Sequence, residues 1–371
     1  MRGMIWVCLG VLASVGLACG GGGGRGLEDA GDASLDAGDA ATLDGSVDRC
    51  ACLPGAHTDH IFLMSQDGEV YSFDPVTLTA DFVFGPVCGG ITPFSMAVDA
   101  RGVAWINDSD SLSVQTLDLL HPGACQPSPY LRRDMRYGLF GMSFATESLS
   151  DTCADLYLFT YDGMGAFTEG PGQGLLGAVD PGTGELREIA VTDFNGGELS
   201  GTGDGRLFAL TGVEPAKLVE YDKHTGAVLE TIPLDGFSTT NASAMAFYSG
   251  DLYLFTEATP AGCVDCLTST CATDYDSCQL DSVCSSQLSC TIEQASFRDD
   301  CGGLMPMPVV DCLMSCTDTC YTPLRSRVSQ VTRLDLDGSD GSPRALTRVV
   351  DALPIRVVGA ASSPCVPVGP I

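Results

Sequence analysis

The stretch from Glu198 to Ile232, ELSGTGDGRLFALTGVEPAKLVEYDKHTGAVLETI, carries four short strand patterns in succession, and most of the chain repeats it. ELSGTGD is mostly small residues and RLFALTG is a continuous apolar run. AKLVEYD ends at a turn, and AVLETI follows the hairpin sequence Lys223-His224-Thr225-Gly226. Aligned on the aspartate that ends the third strand, five copies appear: EVYSFDP at Asp74, VQTLDLL at Asp118, LGAVDPGTG at Asp180, LVEYDKHTG at Asp222 and VTRLDLDGS at Asp335. Each follows an apolar strand: HIFLMS, VAWIND, DLYLFTYD, RLFALTG or DLYLFTEA. These strands are apolar on successive residues. They predict sheets buried on both faces, since a half-exposed sheet would alternate strictly.

Earlier in four of the copies lies a strand of small residues, FSMAVDARG, FGMSFATES, ELSGTGDGR or SAMAFYSGD, suited to the crowded position nearest the axis of a β-propeller. The first copy lacks it. At the other end of the chain IRVVGAASSP, from Ile355 to Pro364, has this composition and no successors, so the two ends complete one blade. The expected fold is therefore an all-β, five-bladed propeller over residues 50–371, its first blade closed by the C-terminal strand, an arrangement that removes open sheet edges. Six blades stay open as an alternative, because the copy around Asp180 carries a longer loop at SLSDTCAD. Asp335 to Thr347, DLDGSDGSPRALT, resembles the strand-turn-strand of WD40-like, TolB-type repeats, and DPGTGEL and DKHTGAV resemble turns of quinoprotein-type propellers. That resemblance covers nearly all of Cys50 to Ile371. It implies the fold and no particular activity.

Residues 1–18 read as a signal peptide: one base, Arg2, then the apolar run MIWVCLGVLASVGLA, shorter than a spanning helix needs. Gly16-Leu17-Ala18-Cys19 resembles the lipobox of bacterial lipoproteins, which implies acylation of Cys19 as the mature N-terminus. An ordinary secretory cleavage near Ala18 is the alternative. Residues 19–49 form an acidic Gly/Ala/Asp tether with too little apolar content to fold, holding the domain on the order of 30 Å from its anchor. By the same resemblance, Gly20 after the cysteine, where an aspartate would retain such a lipoprotein in the inner membrane, permits outer-membrane or cell-surface placement, with the lipid as the one membrane contact.

The formal charge is −30, from 48 acids and 18 bases, which disfavours nucleic acid and anionic lipid as partners. Eighteen cysteines point to an oxidising compartment. Ten of them, Cys263, Cys266, Cys271, Cys278, Cys284, Cys290, Cys301, Cys312, Cys316 and Cys320, crowd residues 260–326, which interrupt the repeat after a second strand. The spacing Cys312-x3-Cys316-x3-Cys320 puts thiols on one helical face, so this insertion is expected to be a small helical module stapled by about five bridges. Metal binding at Cys263-x2-Cys266 is the weaker alternative, since the segment has no histidine and no second such pair. Outside it, closure of the first blade brings Cys365 near Cys52, with Cys50 as the alternative partner, and Cys88 and Cys125 form the expected second pair.

No catalytic motif occurs: there is no G-x-S-x-G, H-E-x-x-H, P-loop or strand-to-helix G-x-G-x-x-G, and no cofactor is implied. His57 and His60 with Asp59 have metal-ligand character, but an unstructured edge before the first strand favours solvated side chains. His121 and His224 fall in turns. Asp335, Asp337, Ser339 and Asp340 echo a calcium loop but lack its distal glutamate, Leu346 standing there, which favours a hairpin turn. Asp99, Glu147 and Asp204 at inner-strand ends would suit glycoside hydrolysis if they converged in the channel, although Gly follows the two aspartates closely, as in ordinary turns. The leading expectation is a lipid-anchored, non-enzymatic envelope scaffold that binds a protein or glycan through its propeller loops. The alternative is a secreted propeller hydrolase or lyase acting on polysaccharide.

Overall fold

A computed structural model describes residues 50–53, 59–160, 170–211, 216–239, 242–258, 262–293, 305–321, 328–338 and 344–369. In chain order, β1 (Ile61–Ser65), β2 (Val70–Asp74) and β3 (Thr79–Phe84) belong to a first sheet, and β4 (Pro93–Val98), β5 (Val103–Asp108), β6 (Val114–Asp118) and β7 (Gln126–Pro127) form a second. The third comprises β8 (Phe140–Ser148), β9 (Asp151–Thr160), β11 (Leu175–Val179) and β12 (Leu186–Val191), and a two-stranded ribbon pairs β10 (Gly170–Pro171) with β13 (Phe194–Asn195). The fourth contains β14 (Glu198–Gly201), β15 (Leu207–Thr211), β16 (Lys217–Tyr221) and β17 (Val228–Pro233). The fifth contains β18 (Ser243–Tyr248), β19 (Asp251–Glu257), β20 (Ser329–Asp335) and β21 (Leu346–Leu353). Last comes β22 (Val357–Ala361), which pairs antiparallel with β1 as the fourth strand of the first sheet.

The first-position strands form a closed circuit. β22 packs on β4, β4 on β8, β8 on β14, β14 on β18, and β18 returns to β22. This ring of five four-stranded antiparallel sheets is a β-propeller. Small residues are required where those strands meet: a Cβ added at Gly201 of β14 would stand 2.3 Å from the Phe144 carbonyl oxygen of β8. Successive sheets are glued by apolar clusters. Phe62, Met64 and Val70 of the first pack with Met96, Ala104 and Ile106 of the second, and Trp105 of the second lies edge-on to Phe144 of the third at 5.8 Å. Between the fifth and first, Phe73 meets Phe255 edge-on at 5.5 Å. Each second strand is thus sandwiched between two apolar interfaces, which is why it reads as an unbroken apolar run.

SLSDTCAD is not a loop. β8 and β9 run on into it for nine and ten residues, paired as far as Ser148 opposite Asp151, so the expected long loop is a tight hairpin between extended strands. A sixth four-stranded sheet does not occur among the described residues.

Each repeated aspartate caps the turn that follows its strand. Asp74 accepts the N–H groups of Val76 and Thr77, Asp118 those of Leu120 and His121, Asp180 those of Gly182 and Thr183, Asp222 those of His224 and Thr225, and Asp335 that of Gly338. These are Asx-type turns, and the amides of His224 and Thr225 hold Asp222 below the ordinary carboxylate range.

The cysteine-rich insertion leaves after β19 and returns at β20. It consists of α1 (Cys263–Thr270), α2 (Ala272–Leu280), α3 (Ser282–Glu293) and α4 (Met307–Ser315). Nested bridges Cys263–Cys320, Cys266–Cys316 and Cys271–Cys312 clasp α1 and the start of α2 antiparallel to α4 and the turn after it, and Cys278–Cys284 staples α2 to α3. Around the sulfurs, Leu267, Leu288, Val309 and Leu313 form a core of the module's own. Cys301 lies outside the described residues, and Cys290 is placed only as part of the α3 backbone.

Two outcomes follow from this architecture. Glu257 and Ser329 are cross-strand partners, so residues 260–326 leave and re-enter a finished hairpin. Replacing them with a short glycine-containing turn should preserve a cooperatively melting β-protein; an aggregated product would show that the module is part of the core. The second outcome concerns Asp251, which stands opposite Asp335 in the register with Arg333 3.7 Å away. Burial raises its pKa to about 6, against the attraction of Arg333 and with help from Asp335 and Asp337. A carboxyl raised on folding contributes stability that is present below about pH 4 and lost as pH rises through about 6. Between pH 4 and pH 7, Asp251→Asn should therefore gain on the order of 2 kcal/mol relative to the parent in denaturant titrations, whereas parallel stability curves would contradict the assignment.

Candidate functional site

The two ends of the ring differ. At one end lie the hairpins that follow the first-position strands, together with the aspartate-capped turns, and here the chain's C-terminal segment, residues 362–369, runs over them. The Ser363 hydroxyl donates to the Asp99 carbonyl of the second blade, the Pro364 carbonyl backs onto Gly203 of the fourth, and Pro367 and Gly369 accept from the backbone and hydroxyl of Ser249 in the fifth. Residues touching three blades in this way lie across the end of the ring. Cys365 is bonded to Cys52, and Cys50 to Cys153 at the start of β9. The expected Cys52–Cys365 bridge, with Cys50–Cys153, bolts Cys50–Leu53 to this end, and Cys50 pairs with neither Cys365 nor Cys52. Cys88 and Cys125 are bonded beside the outer strands of the first and second blades.

The three carboxylates considered for hydrolysis all belong to this closed end, and no hydrogen bond joins any two of them. Asp99 is buried, accepts the N–H groups of Arg101 and Val103 and pairs with the Arg101 guanidinium at 2.7 Å. Asp204 takes the Thr202 hydroxyl within its own turn. Glu147 is half-exposed, 3.1 Å from His224 of the neighbouring blade. Beside it Lys223, 7% exposed, donates to the carbonyls of Glu147 and Gly205 at 2.8 Å each, stapling the third blade to the fourth. Sequence reasoning missed that staple, because a lysine in a turn reads as solvated.

At the opposite end the last residues of the second strands form a layer of buried polar side chains: Ser65, Asp108, Thr160, Thr211 and Glu257. Three of them organise their own hairpins. Ser65 accepts from the Glu69 amide at 3.0 Å, and Thr160 from the Leu175 amide at 3.0 Å. Asp108 accepts the Ser111 hydroxyl and the amides of Asp110, Thr92 and Ser111, which together overcome its burial and hold its pKa low. Glu257 differs. It sits at the root of the insertion, 2% exposed, bonded to the buried Arg356 guanidinium at 2.5 Å, and Arg356 also reaches Gln66. In the sequence these residues are only the polar last letters of apolar runs.

The remaining candidates are dispersed. His60 Nδ1 lies 2.7 Å from Asp59, His121 Nδ1 lies 3.3 Å from Asp118 in its turn, and Asp335 caps its hairpin. Cys263 and Cys266 are committed to disulfides, which overturns the metal alternative for that pair. Cys19 with the signal and tether before residue 50, as well as His57, Ser339 and Asp340, lie outside the described residues. No helix among the described residues is long and apolar enough to cross a membrane.

No protein-family model matches the chain, and no curated protein matches it. Solved structures do. A nidogen/laminin complex is similar at 11% identity over 81% of this chain and 97% of that one, with a TM-score of 0.39. A streptogramin B lyase matches at 16% identity over 55% and 60%, TM-score 0.32, and a gluconolactonase from Xanthomonas campestris at 11% over 54% and 66%, TM-score 0.37. The neighbours are β-propellers that include both binding proteins and enzymes. Likeness this distant adds nothing on activity, and the fold rests on the sheet topology and the closed circuit of inner strands.

Proposed function

We propose that this is a lipid-anchored cell-envelope protein, tethered through Cys19, whose propeller is a non-enzymatic scaffold offering its open end and the clasped insertion to a protein or glycan ligand. The observation that carries the reading is the asymmetry of the ends. Two of the carboxylates that a hydrolase or lyase would use, Asp99 and Asp204, are tied into turn hydrogen bonds at the end crossed by the disulfide-bound C-terminal segment and Glu147 pairs there with His224 of the neighbouring blade, while the opposite end bears the insertion. The seven disulfides among the described residues suit an exported protein, as does the acidic tether that precedes Cys50 in the sequence.

The experiment combines location with turnover. Intact mass of membrane-fraction protein should show an acylated N-terminal Cys19, Cys19→Ser should release the protein, and pull-down or glycan-array ligands should bind without being consumed. An unmodified N-terminus elsewhere contradicts the anchor. Polysaccharide turnover lost in Asp99→Asn or Glu147→Gln contradicts the scaffold.

A further inference from the structure

The outer strand of the second blade, β7, is two residues long, against six to eight in the other four blades. A full-length strand would cover the flank of the third blade. Instead the connection 128–139 runs along that flank, its Tyr137 ring lying over Gly177 of β11 and against Leu186 of β12. Between the connection and the β11–β12 hairpin a groove of about 680 Å³ remains, lined by Pro129, Leu131, Arg133, Tyr137, Leu186 and Glu188 among others. Its size falls within the range of small-ligand sites. One end is shut by the hairpin tip: Gly184, at φ +70°, approaches the Pro129 carbonyl so closely that a Cβ would stand 2.0 Å from it.

The chemistry of the lining narrows the ligand. Arg136 bridges Asp134 and Glu188 at 2.6 and 2.8 Å, which cancels one of their two negative charges and fixes the Glu188 carboxylate at the mouth. Arg133 and Glu185 stand exposed beside it, neither in an ion pair. Donors and acceptors of both signs therefore alternate around the groove without a field of one sign, which suits an uncharged ligand better than an ion. Leu131, 66% exposed, and Leu186 add aliphatic surface. Tyr137, 1% exposed, packs beneath the groove, its hydroxyl sealed from solvent against β11 and without a hydrogen-bond partner. A hydroxyl-rich, uncharged ligand with an aliphatic ring face matches this set.

We propose that the flank groove binds a neutral oligosaccharide, with Leu131 and Leu186 against the C–H face of a sugar ring and Arg133, Glu185 and Glu188 sharing its hydroxyls. This narrows the scaffold reading, on which it rests, to one site and one ligand class. The test is calorimetric titration and saturation-transfer NMR of the exported full-length protein with cellopentaose, maltopentaose, xylopentaose and mannopentaose, using an oligogalacturonate as the charged control. At least one neutral sugar should bind and the control should not. The double change Arg133→Ala with Glu185→Ala should weaken binding by about tenfold or more without moving the melting temperature, because both side chains are exposed and unpaired. Tyr137→Phe should raise the melting temperature of the free protein, since it removes a buried hydroxyl that lacks a partner, and leave sugar binding unchanged, because that hydroxyl is sealed from the groove. Failure of every neutral sugar to bind overturns the proposal, and so does binding indifferent to the Arg133 and Glu185 changes. Binding that survives them and disappears when residues 260–326 are removed also overturns it, assigning the glycan to the open end and leaving the scaffold reading intact.

Discussion

The pairing of β22 with β1 is the contact on which the remaining architecture depends. Without it the first sheet would have three strands and an unpaired inner edge, the circuit β22–β4–β8–β14–β18 would be open, and two apolar interfaces would face water. Three further fastenings act at the same seam. The Gln66 amide donates to the Arg356 carbonyl at 3.0 Å; the buried Arg356–Glu257 ion pair joins the connection before β22 to the fifth blade; and Cys52–Cys365 covalently links residues 313 apart. On the chain-entropy account such a crosslink removes on the order of 5 kcal/mol of unfolded-state freedom. The ion pair is a different kind of device. A buried pair adds little net stability over apolar side chains, but loss of one partner strands the other, so it favours the correctly closed ring over alternatives.

Much of this was legible in the sequence because it repeats. The apolar runs reveal burial on both faces, the small-residue strands reveal the inner position, and the composition shared by IRVVGAASSP and FSMAVDARG reveals which strand is missing from the first copy. The aspartates used to align the copies prove to be turn caps, so the alignment rested on a conserved physical role within the chain. What failed to show was long-range or negative. SLSDTCAD reads as a loop because Ser, Asp and Thr favour turns, yet cross-strand pairing carries β8 and β9 through it. Asp99, Glu147 and Asp204 all lie near inner-strand ends, but Asp99 and Asp204 are claimed by donors in their own turns and Glu147 pairs with His224 of the neighbouring blade. Lys223 acts through carbonyls 18 and 76 residues away and Tyr137 through Gly177 of another strand, and no local pattern announces either.

The same closure makes the molecule two-ended. Both ends of the folded chain, Cys50–Leu53 and residues 362–369, are bound at the end that carries the aspartate turns, leaving the opposite end to the insertion. Because that insertion has its own sulfur-rich core and enters and leaves on paired strands, it is mounted on the ring without contributing to it. The short β7 adds a third kind of surface, on the flank, where a missing strand length becomes a groove.

The measurement that bears most directly on ring closure is native-state hydrogen exchange of the C-terminal strand. If β22 completes the first blade, the amides of β22 that bond to β1 will exchange only through global unfolding, with the same opening free energy as those between β1 and β2. Rapid exchange of Val357–Ala361 while β1 and β2 stay protected would show a frayed terminus beside an open sheet, and would contradict the closed ring.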